Sequence, residues 1–358
     1  FCLSRGLGDV YKRQVSNIIE EVKKGLTGDP LKDIQYLQEQ AAKYKDSPDS
    51  AEILKILSDM SFELLPDESK AHLKNAMFIE EKRIDQVYNE INGLVKDNKL
   101  EDAEKLFSEI EKKADKYFSE TEASKKFSFR NRLDEYIYTH IYKPNKKYER
   151  TPFDFCQYFS SYGYLLVEQH KPQEAVDKLE KAIRYNPVNV EPRFELAEAF
   201  KLMHEPQQLF ACVRDTLEIS TTPYHIARCY TNLGYYCIEI KDYDSAVCFY
   251  YESLIYAQNE AVNGELQHIR AITGKQVVPP TREEVLSAFE KYKIRNGPNP
   301  EVVNIAYSLG SYCMEHNAPP QETLFYMQIV YNLTNSNEVK EIIEKLNAQL
   351  AAQRARNN

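Results

Sequence analysis

The sequence predicts an all-α chain built from antiparallel helix hairpins, and three observations predict it. Apolar residues recur at three- and four-residue spacing from Val15 almost to Gln353. Glycine is scarce, 11 in 358 residues, which disfavours the tight turns and ligand-approach loops of doubly wound sheets, phosphate loops and barrels. No segment shows strict alternation with β-branched residues around a two-residue glycine turn, so no sheet is expected.

The first helix carries Ile18, Ile19, Val22 and Leu26; the second carries Ile34, Leu37 and Ala41 behind Pro30; a third, AEILKIL, follows Ser50. Pro172, Pro192 and Pro206 mark further starts, because the first helical turn leaves an N–H without a partner and proline has none to leave. Short polar gaps imply antiparallel neighbours. The widest breaks are Tyr142–Pro152, rich in Lys and Pro, and Thr273–Thr281 with Pro279 and Pro280. The first of these is expected to divide an N-terminal helical region (15–142) from a repeat-bearing domain (153–335). Residues 336–358 read as an amphipathic capping helix, starting near Asn337, with a polar tail whose Arg354 and Arg356 suit the helix dipole.

The strongest signal is internal repetition. Phe159, Tyr162, Gly163 and Leu166 are followed by Ala175, Leu179, Ala182 and Pro187. Leu196, Ala197 and Phe200, then Leu209 and Val213, form a weaker second unit. Tyr230, Leu233, Gly234 and Cys237, then Ala246, Tyr250 and Ser253, form a third. Gly163 to Gly234 and Ala175 to Ala246 both span 71 residues, two periods of about 34 residues plus three. The extra three are expected in the Ser220–Tyr224 turn. Ala306, Leu309, Gly310 and Cys313, then Tyr326 and Ile329, give a fourth hairpin with a longer turn at Pro319-Pro320. A degenerate copy spans Val87, Ile91 and Leu94, then Ala103, Phe107 and Ile110. The pattern resembles the tetratricopeptide repeat (TPR), although Phe159, Arg193, Tyr230 and Ala306 replace its tryptophan. In such a unit the small residue (Gly163, Ala197, Gly234, Gly310) admits the partner helix closely. One hairpin cannot bury its apolar face alone, so the resemblance implies a superhelical solenoid of stacked neighbours.

The segment Phe1–Gln14 stands apart. Asp9 to Gln14 back-translate to GAT-GTG-TAT-AAG-AGA-CAG, which resembles a transposon adapter used in sequencing libraries; these residues are read as a non-native artefact. With Met60 as the first methionine, the true start is expected to lie upstream, where a signal peptide or small domain could have been lost.

Composition bounds the function. There are 46 basic and 55 acidic residues, a net charge of −9, and no run approaches the roughly 18–20 apolar residues that span a bilayer; no membrane partner is expected. None of the 7 cysteines forms a CxxC pair; buried Cys packs as a small hydrophobe, so a reducing, cytoplasmic location is expected. His225 and Cys229 share a helix face without a second pair at ligand spacing, so no metal is expected. No GxSxG, HExxH or phosphate loop is present, and no catalytic residue or cofactor is assigned. His170, His204 and His316 fall near hairpin turns, where a polar residue needs no special purpose.

The TPR resemblance implies a concave groove lined by the first helix of each hairpin, which binds a protein or peptide segment. Transferred onto this sequence, the groove positions are Gln157, Ser160 and Tyr164; Glu191, Phe194 and Glu198; Arg228, Thr231 and Tyr235; and Asn304, Tyr307 and Ser311. Recurrent rings on that face, Tyr164, Phe194, Tyr235 and Tyr307, suit hot spots, and Glu168, Glu198, Glu239 and Glu315 along its deeper edge would favour basic segments. The carboxylate clamp of some co-chaperone members is not expected, since Ser160, Tyr164, Glu195 and Asn232 depart from it and only Arg228 matches in charge.

One stretch is basic: Lys125, Lys126, Arg130, Arg132, Lys143, Lys146, Lys147 and Arg150 against Asp134, Glu135 and Glu149, a local net charge of +5, interleaved with Phe127, Phe129, Tyr136, Tyr138 and Tyr142. In an acidic chain this reads as a solvated helix face and Lys-rich linker, and nucleic acid is not the expected partner. The expected function is a non-enzymatic interaction scaffold. The alternative is a peptide-sensing transcriptional regulator whose DNA-binding head lay upstream of Val15.

Overall fold

A computed structural model describes residues 15–44, 50–316 and 318–357, without the side chains of 50–52 and 353–357. The artefact reading of residues 1–14, and the dipole role given to Arg354 and Arg356, fall outside what it describes. The described chain is helical, as expected, and forms two compact units that divide between Glu90 and Ile91.

In the first unit, helices α1 (residues 15–24), α2 (Pro30–Tyr44) and α3 (Ser50–Glu63) bury Val15, Ile19, Val22, Leu37, Ile53 and Leu57 together. Asp33, buried in the first turn of α2, accepts hydrogen bonds from the backbone N–H of Thr27 (2.6 Å) and of Gly28 (2.9 Å), which fixes the α1–α2 loop. Helix α4 (Asp67–Met77) leads into a short antiparallel hairpin of β1 (Phe78–Ile79) and β2 (Lys82–Arg83).

Helix α5 (Ile84–Lys96) leads into the second unit and pairs in sequence with α6 (Leu100–Tyr117). Next come β3 (Ser124–Phe127), α7 (Arg132–Ile137), a π-helical turn at Tyr138–Tyr142, and β4 (Lys147–Arg150). Strands β3 and β4 pair in parallel, Ser124 opposite Lys147. Neither sheet was expected. These strands are two to four residues long, and Lys125-Lys126 breaks any alternating pattern. Their pairing depends on distant closure, the Thr151 N–H to the Phe127 carbonyl (2.8 Å) and a Lys126–Glu149 ion pair. The compact units divide at Glu90, upstream of the Tyr142–Pro152 boundary, because that segment carries β4 and is tied to β3.

The hairpins follow: α8 (Phe155–Glu168) with α9 (Pro172–Tyr185), α10 (Glu191–Leu202) with α11 (Pro206–Leu217), and α12 (Pro223–Glu239) with α13 (Tyr243–Tyr256). Each helix packs on the next through this series, and α10 also packs on α8. A Cβ on Gly163 would collide with Leu179, and one on Gly234 would lie 2.8 Å from the ring of buried Tyr250. Absence of a side chain is what lets each pair close. The turns are built alike: Asn98, His170, His204 and Lys241 take left-handed backbone (φ 59°, 58°, 52° and 64°). In each the following N–H reaches five residues back, Lys99 to Leu94, Lys171 to Leu166, Glu205 to Phe200 and Asp242 to Cys237, closing the end of the first helix. Asn98 belongs to the α5–α6 connection, which therefore shares the hairpin turn expected of the degenerate copy.

The three extra residues of the third unit do not sit in the turn. Pro223 and Tyr224 are helical, and α12 is 17 residues long against 12 in α10. About one turn is 3.6 residues, so a three-residue insertion is absorbed by lengthening the helix at its N-terminus.

Helices α14 (Glu260–Thr273) and α15 (Arg282–Tyr292) intervene before the last hairpin, α16 (Pro300–Glu315) with α17 (Pro320–Thr334). Helix α15 packs on α13, whereas α16 packs on α7 and α17. The terminal helix α18 (Asn337–Asn357) packs on α17, where a cap was expected.

Candidate functional site

The expected groove positions lie on α8, α10, α12 and α16, and side-chain contacts join those of α10 and α12. Glu195 on α10 pairs with Arg228 on α12 (3.6 Å), His225 lies 4.0 Å from Glu191, and His204 lies 3.4 Å from Glu239. Glu198 pairs with Lys201 at 2.9 Å, and the Lys201 ammonium stands 5.2 Å above the Tyr235 ring. Burial, and then Glu239, hold the Tyr235 phenol above its ordinary range.

Phe194 corrects the expectation. It is 1% exposed, covered by the Arg228 guanidinium 4.4 Å from its centroid and by the His225 ring at 6.0 Å. It is a buried platform for Arg228 and not a contact ring. Ser160 and Thr231 turn their hydroxyls back to their own helices, donating to the Cys156 carbonyl (2.7 Å) and the Ala227 carbonyl (3.0 Å). Gln157 is exposed in the first turn of α8, and Tyr164 is 50% exposed. Asn304 and Tyr307 are exposed on α16, whose neighbours α7 and α17 differ from those of α12. Along the acidic edge, Glu198 is paired with Lys201 and Glu239 lies beside the His204 ring.

Lys201, Glu195 and His225 were not among the expected groove residues. The Glu198–Lys201 spacing is visible in the sequence as an i,i+3 pair, but the cross-helix partners depend on how the hairpins stack. His225 is mostly buried; that burial, with the positive charges of Arg130 and Arg228, pushes its imidazole down to about 4. Cys229, one turn on, is fully buried beside Ser220. Among the described residues no group of three or more metal-ligating side chains converges.

Thiol chemistry has little support. All six described cysteines are free and buried, and burial pushes Cys156, Cys229 and Cys237 up to about 12, so their nucleophilic thiolates are scarce. No described helix is long and apolar enough to cross a membrane. What the α8–α10–α12 face offers is a mixed-charge surface with an exposed tyrosine, Tyr164. Comparison of the sequence with family models and with curated proteins finds no match.

Proposed function

We propose that this protein is a non-enzymatic scaffold whose hairpins stack as a TPR-like solenoid and capture a peptide or partner segment on the face of α8, α10 and α12. The observation that carries the reading is the ladder between first helices: Glu195–Arg228 over the Phe194 ring, and Glu198–Lys201 over Tyr235. Salt bridges of this partly exposed kind are worth about 0–1 kcal/mol, so an incoming charged segment exchanges them at little cost. Tyr164 supplies ring area that the neighbouring charges do not cover. The alternating charges favour a segment that itself carries both signs. The six described cysteines, all free and buried, fit a reducing compartment, and a cytoplasmic location belongs to the same reading.

The test begins with selection of binding peptides from a random library on the intact protein. Tyr164→Ala combined with Tyr235→Ala should weaken a selected peptide at least tenfold, about 1.4 kcal/mol or more, by fluorescence anisotropy. The melting temperature should stay close to the parent's, since both rings are partly exposed. Unchanged affinity refutes the assignment of the face.

A further inference from the structure

The basic stretch, expected to be a solvated helix face and Lys-rich linker, instead carries two paired strands and is not fully solvated. It folds as β3, α7, the π-helical turn and β4, and half of its charge is neutralised: Lys126 by Glu149, Lys146 by Glu120 (2.7 Å), Arg130 by Asp134 (2.9 Å) and Arg150 by Glu135. Of the remaining four, Lys125 and Lys143 line a cavity of about 870 Å³ bounded by β3, the 138–146 segment, the end of α6 and α9, and the start of α10. Four of its cations, Lys125, Lys143, Arg184 and Arg193, have no ion-pair partner among the described residues. Its two carboxylates are already engaged, Glu120 by Lys146 and Asp115 by Lys181 (2.6 Å).

Arg193 is the decisive residue. It occupies the position where the repeat pattern has an aromatic gap-filler, yet it is a guanidinium only 9% exposed. Its Nη2 donates to the Pro187 carbonyl (2.9 Å) and to the Tyr142 hydroxyl (3.2 Å), while its buried Nε has no partner. Buried charges are normally matched by an opposite charge, and nothing in the described chain matches this one. Beside it Tyr142, 41% exposed, stacks on Tyr138 at 5.4 Å and forms an aromatic wall to the same cavity.

We propose that this cavity binds a small phosphorylated ligand bearing a flat ring, of the nucleotide class, with its phosphates on Lys125, Lys143, Arg184 and Arg193 and its ring against Tyr142. A cavity of this volume suits a small molecule, and four unmatched cations suit a multiply charged phosphate better than a single carboxylate. The site is independent of the proposed peptide-binding face, because it uses a different side of α10 and neither Tyr164 nor Tyr235.

Calorimetric titration of the full chain with ADP, pyrophosphate and adenosine separates charge from ring. ADP should bind at least tenfold more tightly than either fragment. Lys125→Ala with Lys143→Ala, both outside the core, should weaken ADP at least tenfold without lowering the melting temperature. Arg193→Met should abolish ADP binding, and its own melting temperature should not fall, since an unmatched buried charge has been removed. The proposal is overturned if ADP fails to bind at about 1 mM, if pyrophosphate binds as well as ADP, or if the double variant binds ADP unchanged. It is equally overturned if a short single-stranded RNA binds more tightly than ADP, which would make the cations a nucleic-acid surface.

Discussion

His225 is held neutral between a phenylalanine ring, a glutamate at 4.0 Å and two guanidinium-bearing neighbours, and that has a consequence for stability. Its folded value near 4 lies below the ordinary 6.5. Between those values the unfolded chain takes up a proton that the folded chain refuses. The stabilisation is therefore complete above pH 6.5 and is lost as pH falls toward 4, on the order of 3 kcal/mol in all. Urea denaturation between pH 7 and 4 should show His225→Gln losing much of the parent's acid sensitivity over that window; an identical slope in the two proteins would contradict this. At the residue scale the sequence was only partly legible. Tyr164 could be placed on a helix face and is exposed there. Phe194 was placed on the same face and is buried, because Arg228 of the next hairpin folds over its ring, and a sequence does not display contacts made across that spacing. The His225–Cys229 pair looked like half a metal site for the same reason: periodicity puts both on one face but not what surrounds them.

The hairpin is the element at which the sequence spoke most clearly. Gly163 and Gly234 were identified as sites of close approach, and the Leu179 side chain and the Tyr250 ring occupy the space their side chains would need. Gly234→Ala should destabilise by about 1–3 kcal/mol, since the fully buried Tyr250 has nowhere to go. Gly310→Ala should cost less, because the obstructing atom is the terminal methyl of Met327, the far end of a flexible side chain. Gly93→Ala and Gly264→Ala, on exposed helix surface with nothing within 4 Å, should stabilise by about 0.5–1 kcal/mol. Chemical denaturation of the four variants checks the order, and equal effects at Gly234 and Gly93 would remove close approach as the reason for glycine. The two small sheets and the lengthened α12 were not legible. Strands of two to four residues carry too little periodicity to register. An insertion of nearly one helical turn keeps the apolar stripe in phase, so a loop and a longer helix look the same in sequence.

At the scale of the whole molecule, the regular series from α8 to α13 is interrupted. Helix α15 follows α13, and α16 turns to α7, a return path that no local pattern encodes, because it is fixed by contacts more than a hundred residues apart. Asn304 and Tyr307 therefore belong to a different neighbourhood from Arg228 and Tyr235, and the proposed capturing surface narrows to the first helices of three hairpins. That surface is the central claim. Its most direct measurement is photo-crosslinking of a library-selected peptide to protein carrying p-benzoylphenylalanine in place of Tyr164 or Tyr235, with Tyr312 and Ile255, both exposed on other helices, as control positions. The account predicts crosslinks from positions 164 and 235 and none from 312 or 255; crosslinks confined to the control positions would contradict it.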